Sequence, residues 1–141
     1  MYFDTSYLAK FYLAEPESRA VREIVREADV NYTSRWAVLE FHAVLHRHVR
    51  ESSITERDRT TLAKRINDHT ETRLWTVVPL TETILEKTSA ILLSAPRELF
   101  LRTADALHLA TALHIGQREV WTNDRHMLAA APHFDLTGRS V

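Results

Sequence analysis

The strongest constraint on this chain is an alternation of two kinds of segment. Four short runs rich in aromatic and β-branched residues (Tyr2–Phe3, Val30–Thr33, Leu74–Pro79 and Val120–Thr122) are separated by stretches of helical periodicity. Parallel strands need such crossovers, because a tight turn joins only antiparallel neighbours. The pattern therefore predicts an α/β fold: a three-layer α/β/α arrangement around a mostly parallel central sheet of about five strands. A weak run near Phe134–Leu136 is the candidate for the fifth. At 141 residues without repeats, low-complexity tracts or linkers, the chain is expected to form a single domain, 1–141.

Local signals place the helices. A short one runs through Tyr7, Leu8, Phe11 and Tyr12, and Pro16 is set for the first turn of the next, which carries Ala20, Val21, Ile24 and Val25 on one side. Ser34 is placed to cap a helix from Trp36 to about Arg50. Thr55 caps a more polar one through Leu62, Ala63 and Ile66, and Thr81 begins one that reaches Leu92. Leu101 to His114, LRTADALHLATALH, reads as another, with Thr103 as its N-cap and no Gly or Pro before Gly116. Asp105 lies on the same stripe of that helix as Leu101, Ala104, His108 and Ala112. A carboxylate in that company loses hydration and needs a donor, a cation or a proton in return. The alternative is purely structural, since an acid in a first turn interacts well with the helix dipole.

Composition narrows the function. Eighteen basic against 19 acidic residues give a net charge of −1, which excludes coating nucleic acid by bulk charge but leaves room for a local basic rim. With only two glycines, Gly116 and Gly138, there is no Gly-rich loop to cradle a nucleotide phosphate. Cysteine is absent, which removes disulfides and thiolate metal sites and fits a reducing cytoplasm. No apolar stretch is long enough to span a membrane, and the opening MYFD leaves no room for a signal peptide, so a cytoplasmic location is expected.

In an open α/β sheet, ligands bind beyond the carboxyl ends of the strands. Asp4 follows the first strand at once and Asp124 follows the fourth. Glu40 lies within two turns of the start of the helix after strand two, on its buried stripe with Trp36, Ala37 and Val44. Asp105 lies near the start of the helix that returns to strand four, so all four acids can meet at one rim. Taken singly, Asp4 and Asp124 read equally well as helix caps. Gathered together, carboxylates repel and take up protons or bind a cation. An all-oxygen set suits Mg²⁺, with Mn²⁺ also able to serve, and the chemistry such an ion brings suits phosphodiester hydrolysis.

Four motifs in order, Asp4-Thr5-Ser6, Glu40, Ala104-Asp105-Ala106-Leu107-His108 and Thr122-Asn123-Asp124-Arg125, resemble those of PIN-domain ribonucleases, and most closely VapC-type toxins of toxin–antitoxin pairs. The resemblance covers essentially the whole chain. It implies a magnesium- or manganese-dependent endoribonuclease acting on RNA. It also implies a small antitoxin whose C-terminal segment covers the acidic site, and a homodimer. Asp4 and Asp105 would be direct metal ligands. Glu40 would orient water on the metal or move a proton, and Asp124 would hold a second metal or a water-mediated contact. Ser6 and Thr122 would orient carboxylates through their hydroxyls, and Asn123 would contact substrate or a carboxylate. The chain departs from many relatives at His126-Met127, where they carry an acid and an aromatic.

Rival readings within the same fold are an RNA-processing nuclease outside any toxin pair and a catalytically silent binding module. A phosphoacceptor receiver domain also gathers acids and Mg²⁺, but Val78-Pro79 and the lysine-free C-terminal region lack what it needs after strands three and five. His42 and His46, four apart with His48 nearby, have a zinc-compatible spacing without a third ligand. His46, Arg47 and Arg50 form a candidate basic rim.

Overall fold

Five strands of two or three residues each are enough for a sheet here because helices cover both of its faces. The computed structural model describes residues 1–141. In chain order its elements are β1 (Tyr2–Phe3), α1 (Thr5–Tyr12), α2 (Ser18–Glu27), β2 (Tyr32–Ser34), α3 (Arg35–Arg50), α4 (Glu56–Glu71), β3 (Thr76–Val78), α5 (Glu82–Ser94), α6 (Thr103–His114), β4 (Glu119–Trp121), α7 (Arg125–Ala130) and β5 (Thr137–Arg139). The strand order is β3-β2-β1-β4-β5, and every pairing is parallel. No helix is long and apolar enough to cross a membrane.

The pleat of β1 divides the interior. Successive side chains point to opposite faces, so Tyr2 enters one apolar cluster with α5, α6 and α7, and Phe3 enters the other with α1 to α4. In the second cluster Phe3 meets Trp75 edge-on at 5.7 Å and stacks near Trp121 at 6.2 Å. The chain leaves β1 toward β2 and β3, then crosses back to add β4 and β5 on its other side. A topological switch therefore lies between β1 and β4, where the loops diverge and leave a crevice.

Short polar side chains set the helix starts. Asp4, Ser34, Thr55, Thr81 and Asp124 each accept a backbone N–H from the first turn of the helix that follows. Four details depart from the sequence reading. Pro16 lies before α2 rather than in its first turn, and Glu17, with φ 63°, is the residue at the cap. Strand two is shifted forward to Tyr32–Ser34. α6 is preceded by Arg102 rather than capped by Thr103, and Asp105 through Ala112 are all buried, so it is a central helix and not an amphipathic one.

The fifth strand is Thr137–Arg139, not Phe134–Leu136. Ala131–Phe134 instead forms a 3₁₀ turn containing Pro132, closed by Asp135 at φ 56°. Gly138 belongs in β5 because α7 crosses close by. A Cβ there would stand 2.9 Å from a Leu128 side-chain carbon and 3.2 Å from its Cα.

Phe41 of α3 is fully buried, whereas Leu93 of α5 is 89% exposed. Phe41→Ala is expected to cost about 3–5 kcal/mol, and Leu93→Ala to stay within about 0.5 kcal/mol. Urea denaturation of the two variants beside the parent chain checks both.

Candidate active site

The crevice at the β1/β4 switch widens into a cavity of about 470 Å³, and Asp4, Glu40, Asp105 and Asp124 all line it. They arrive from four elements. Asp4 ends β1, Asp124 follows β4, Glu40 stands in the second turn of α3, and Asp105 in the first turn of α6. Asp4, Asp105 and Asp124 lie at helix starts, where unpaired N–H groups and the helix dipole favour a negative charge.

Asp4 is the most enclosed. Its Oδ1 accepts the Ser6 hydroxyl at 2.7 Å and the Tyr7 N–H at 2.9 Å, and its Oδ2 accepts the Thr122 hydroxyl at 2.6 Å. Thr122 Oγ1 in turn accepts the Asp124 N–H at 2.9 Å, which links the ends of β1 and β4. Burial raises the Asp4 carboxyl above its ordinary value, although these hydrogen bonds favour the ionised form. Asn123 takes part through its backbone, its N–H reaching Ser6 Oγ at 3.4 Å. Its side-chain Oδ1 is buried without a hydrogen-bond partner.

Asp105 and Asp124 share a cation. The Arg102 guanidinium donates from Nε to Asp105 Oδ2 at 2.9 Å and from Nη2 to Asp105 Oδ1 at 3.0 Å, and Nη2 also reaches Asp124 Oδ2. Asp105 Oδ2 accepts the Arg102 backbone N–H at 3.1 Å as well. Asp124 Oδ1 accepts the N–H groups of His126 at 2.7 Å and Met127 at 3.3 Å. Partial burial works against ionisation of Asp124, but these donors and Arg102 outweigh it and hold the carboxyl below its ordinary value.

Glu40 is held by a separate chain of groups. Thr5 Oγ1 donates to its Oε2, and His108 Nε2 lies 3.1 Å from the same oxygen. His108 Nδ1 is 2.8 Å from the Tyr2 hydroxyl, and Tyr2 is fully buried, which raises its phenol above the ordinary range. The His108 ring thus bridges the buried phenol of Tyr2 and the Glu40 carboxylate. Burial alone would raise Glu40, yet the bonds from His108 and Thr5 bring it below its ordinary value, so it is ionised near neutrality.

The sequence placed the four acids, Ser6, Thr122 and Asn123 near one another; in the structure the acids and Ser6 line one crevice, while Thr122 and Asn123 lie behind it and reach it through Asp4 and Ser6. It adds three residues that sequence reasoning left out of the site. Arg102 carried a readable signal, its i, i+3 spacing to Asp105 across a helix start. Thr5 and His108 stand within the motifs already noted, but nothing local ties them to Glu40, which is 35 and 68 residues away. Among the candidate basic residues, Arg47 lines the acidic cavity. His42 and His46 line a different groove, between α3 and α4, with Arg59.

An all-carboxylate donor set at the edge of a parallel sheet fits a hard cation. Asp4 is buried among hydroxyls and a backbone N–H and, unlike Asp105 and Asp124, makes no ion pair with Arg102. No three acidic or histidine side chains stand close enough together to hold a metal ion as they are arranged. An ion held here would rest on few carboxylates and complete its shell with water and substrate, which is the usual habit of Mg²⁺.

Comparison with known proteins agrees with this architecture. Among solved structures, VapC20 from Mycobacterium tuberculosis, described as a sarcin–ricin-loop-cleaving toxin, superposes with a TM-score of 0.73 at 21% identity over 92% of this chain and 93% of its own. FitAcB from Neisseria gonorrhoeae does so at 0.74 and 19% identity, over 97% of this chain and 94% of its own. A toxin–antitoxin complex from Klebsiella pneumoniae matches at 0.60 and 20% identity, over 91% of this chain and 89% of its own. No curated protein matches by sequence. The PIN domain family model matches residues 1–132, and the chain belongs to the PIN domain family.

Proposed function

We propose that this protein is a divalent-metal-dependent endoribonuclease and the toxin member of a toxin–antitoxin pair. The observation that carries this reading is the meeting of Asp4, Glu40, Asp105 and Asp124, spread over 120 residues of sequence, at the β1/β4 switch point. Such a concentration of carboxylates costs stability and is characteristic of sites built for function. Asp4 and Asp105 would hold Mg²⁺ or Mn²⁺, with Asp124 at the rim. A bound ion of this kind supplies Lewis acidity toward a phosphodiester oxygen and eases deprotonation of water.

The remaining chemistry belongs to the chain itself. Glu40, ionised and held by Thr5 and His108, would accept a proton from an attacking water. Ser6 and Thr122 fix the orientation of Asp4, so that its carboxylate keeps one geometry as substrate enters. Arg47 at the cavity wall offers a cationic contact for an RNA phosphate. A small antitoxin partner is supported by the structural likeness to the toxin VapC20 and to a chain of the Klebsiella pneumoniae toxin–antitoxin complex.

The decisive experiment is cleavage of a panel of structured RNAs by the purified chain with Mg²⁺, with Mn²⁺ and with EDTA. Metal-dependent cutting that disappears in Asp105→Asn is expected; cutting that persists in EDTA or in that variant would sink the assignment. Glu40→Gln is expected to lower the cleavage rate by about 10²–10⁴-fold with an unchanged circular dichroism spectrum. Asp4 gives a pH-dependent prediction. An acid whose folded-state value is raised destabilises the folded chain once pH exceeds the ordinary carboxylate range, and has no such effect below it. Asp4→Asn should therefore raise the melting temperature in EDTA at neutral pH, with the gain fading as pH is lowered toward about 4.

A further inference from the structure

Five of the seven α-helices begin with a side-chain oxygen that caps them, and α6 does not. The residue at its cap position is Arg102, which has no acceptor to offer backbone N–H groups. Ser, Thr, Asp or Asn would serve the helix better. What Arg102 does instead is reach into the acidic cavity. It grips Asp105 with a two-pronged fork, at 2.9 and 3.0 Å, and extends Nη2 to Asp124.

The two sides of this clamp differ in freedom. The Asp105 side chain is 5% exposed and fixed in α6, and Asp124 is anchored by the N–H groups of α7. The Arg102 side chain is 52% exposed and springs from a residue outside the helix proper. The acids are therefore the fixed members and the guanidinium is the movable one. Both Asp105 oxygens and Asp124 Oδ2 already accept bonds from it, and a cation that used the same oxygens would meet a positive charge in place.

We propose that Arg102 is a resident counter-ion of the acidic site, and that it competes with a divalent cation for Asp105 and Asp124. Metal loading then requires the guanidinium to swing outward, while in the metal-free chain it keeps the buried Asp105 charge compensated. This inference rests on the metal-dependent reading above. Arg102 thus tunes the metal affinity of the site downward, a role distinct from supporting the helix start.

The test is calorimetric titration of the full chain with Mn²⁺ at fixed ionic strength, on the parent protein, Arg102→Met and Arg102→Lys, with Asp105→Asn to identify the site by loss of the heat. Arg102→Met is expected to bind Mn²⁺ about tenfold more tightly, a usual size for coupling between two ligands. Arg102→Lys, which keeps the charge but not the fork, should fall between. Mn²⁺ should also raise the melting temperature more in Arg102→Met than in the parent, because the variant leaves Asp105 without its cation. Equal or weaker Mn²⁺ binding in Arg102→Met overturns the competition while leaving the metal site standing. If that variant does not fold, Arg102→Lys decides on the same criterion. Absence of any Mn²⁺ heat or thermal shift in all the proteins removes the metal reading, and this inference with it.

Discussion

The carboxylate of Asp4 is the contact on which both the fold and the site depend. Through one oxygen it caps α1 and accepts the Ser6 hydroxyl, and through the other it accepts the Thr122 hydroxyl from the end of β4. Because Thr122 also receives the Asp124 N–H, a single carboxylate fastens the switch point between β1 and β4. Asp124 repeats the division of labour. Its Oδ1 serves the start of α7, and its Oδ2 faces Arg102. Helix capping and site construction are thus performed by the same side chains, one oxygen for each task.

This arrangement gives the cavity three distinct electrostatic environments. Asp105 and Asp124 share a guanidinium, Glu40 is held by Thr5 and by His108, whose ring also meets Tyr2, and Asp4 accepts two hydroxyls and a backbone N–H. Their proton affinities diverge accordingly, Asp4 upward and Glu40 and Asp124 downward. Separated affinities among neighbouring acids are how one site assigns different tasks to the same functional group.

Much of this was legible in the sequence, and the reasons are specific. Alternating β-rich and helical runs dictate a parallel sheet, and a parallel sheet dictates which chain ends share an edge, so Asp4, Glu40, Asp105 and Asp124 could be brought together without coordinates. Asp4 and Asp124 are both helix caps, and each also lines the cavity, so the cap reading does not remove them from it. What the sequence hid depends on long-range contacts. The bond from His108 to Glu40 crosses 68 residues, so no local pattern announces it. β5 was misplaced because its glycine answers to the close passage of α7, which no local pattern reveals. The all-round burial of α6 likewise comes from its neighbours on both sides and not from its own periodicity.

The position of β1 has a consequence for when the molecule comes into being. The central strand is made of the second and third residues of the chain, yet its partner on one side, β4, begins at Glu119. Pairing so distant in sequence is slow to form and cannot begin before most of the chain exists. Synthesis proceeds from the N-terminus at about 5–20 residues per second, so for several seconds a ribosome carries Asp4 and Glu40 without the residues that complete their surroundings. The carboxylate cavity is therefore among the last features to assemble. A nascent chain interrupted before Thr122 has neither the complete sheet nor the carboxylate cavity.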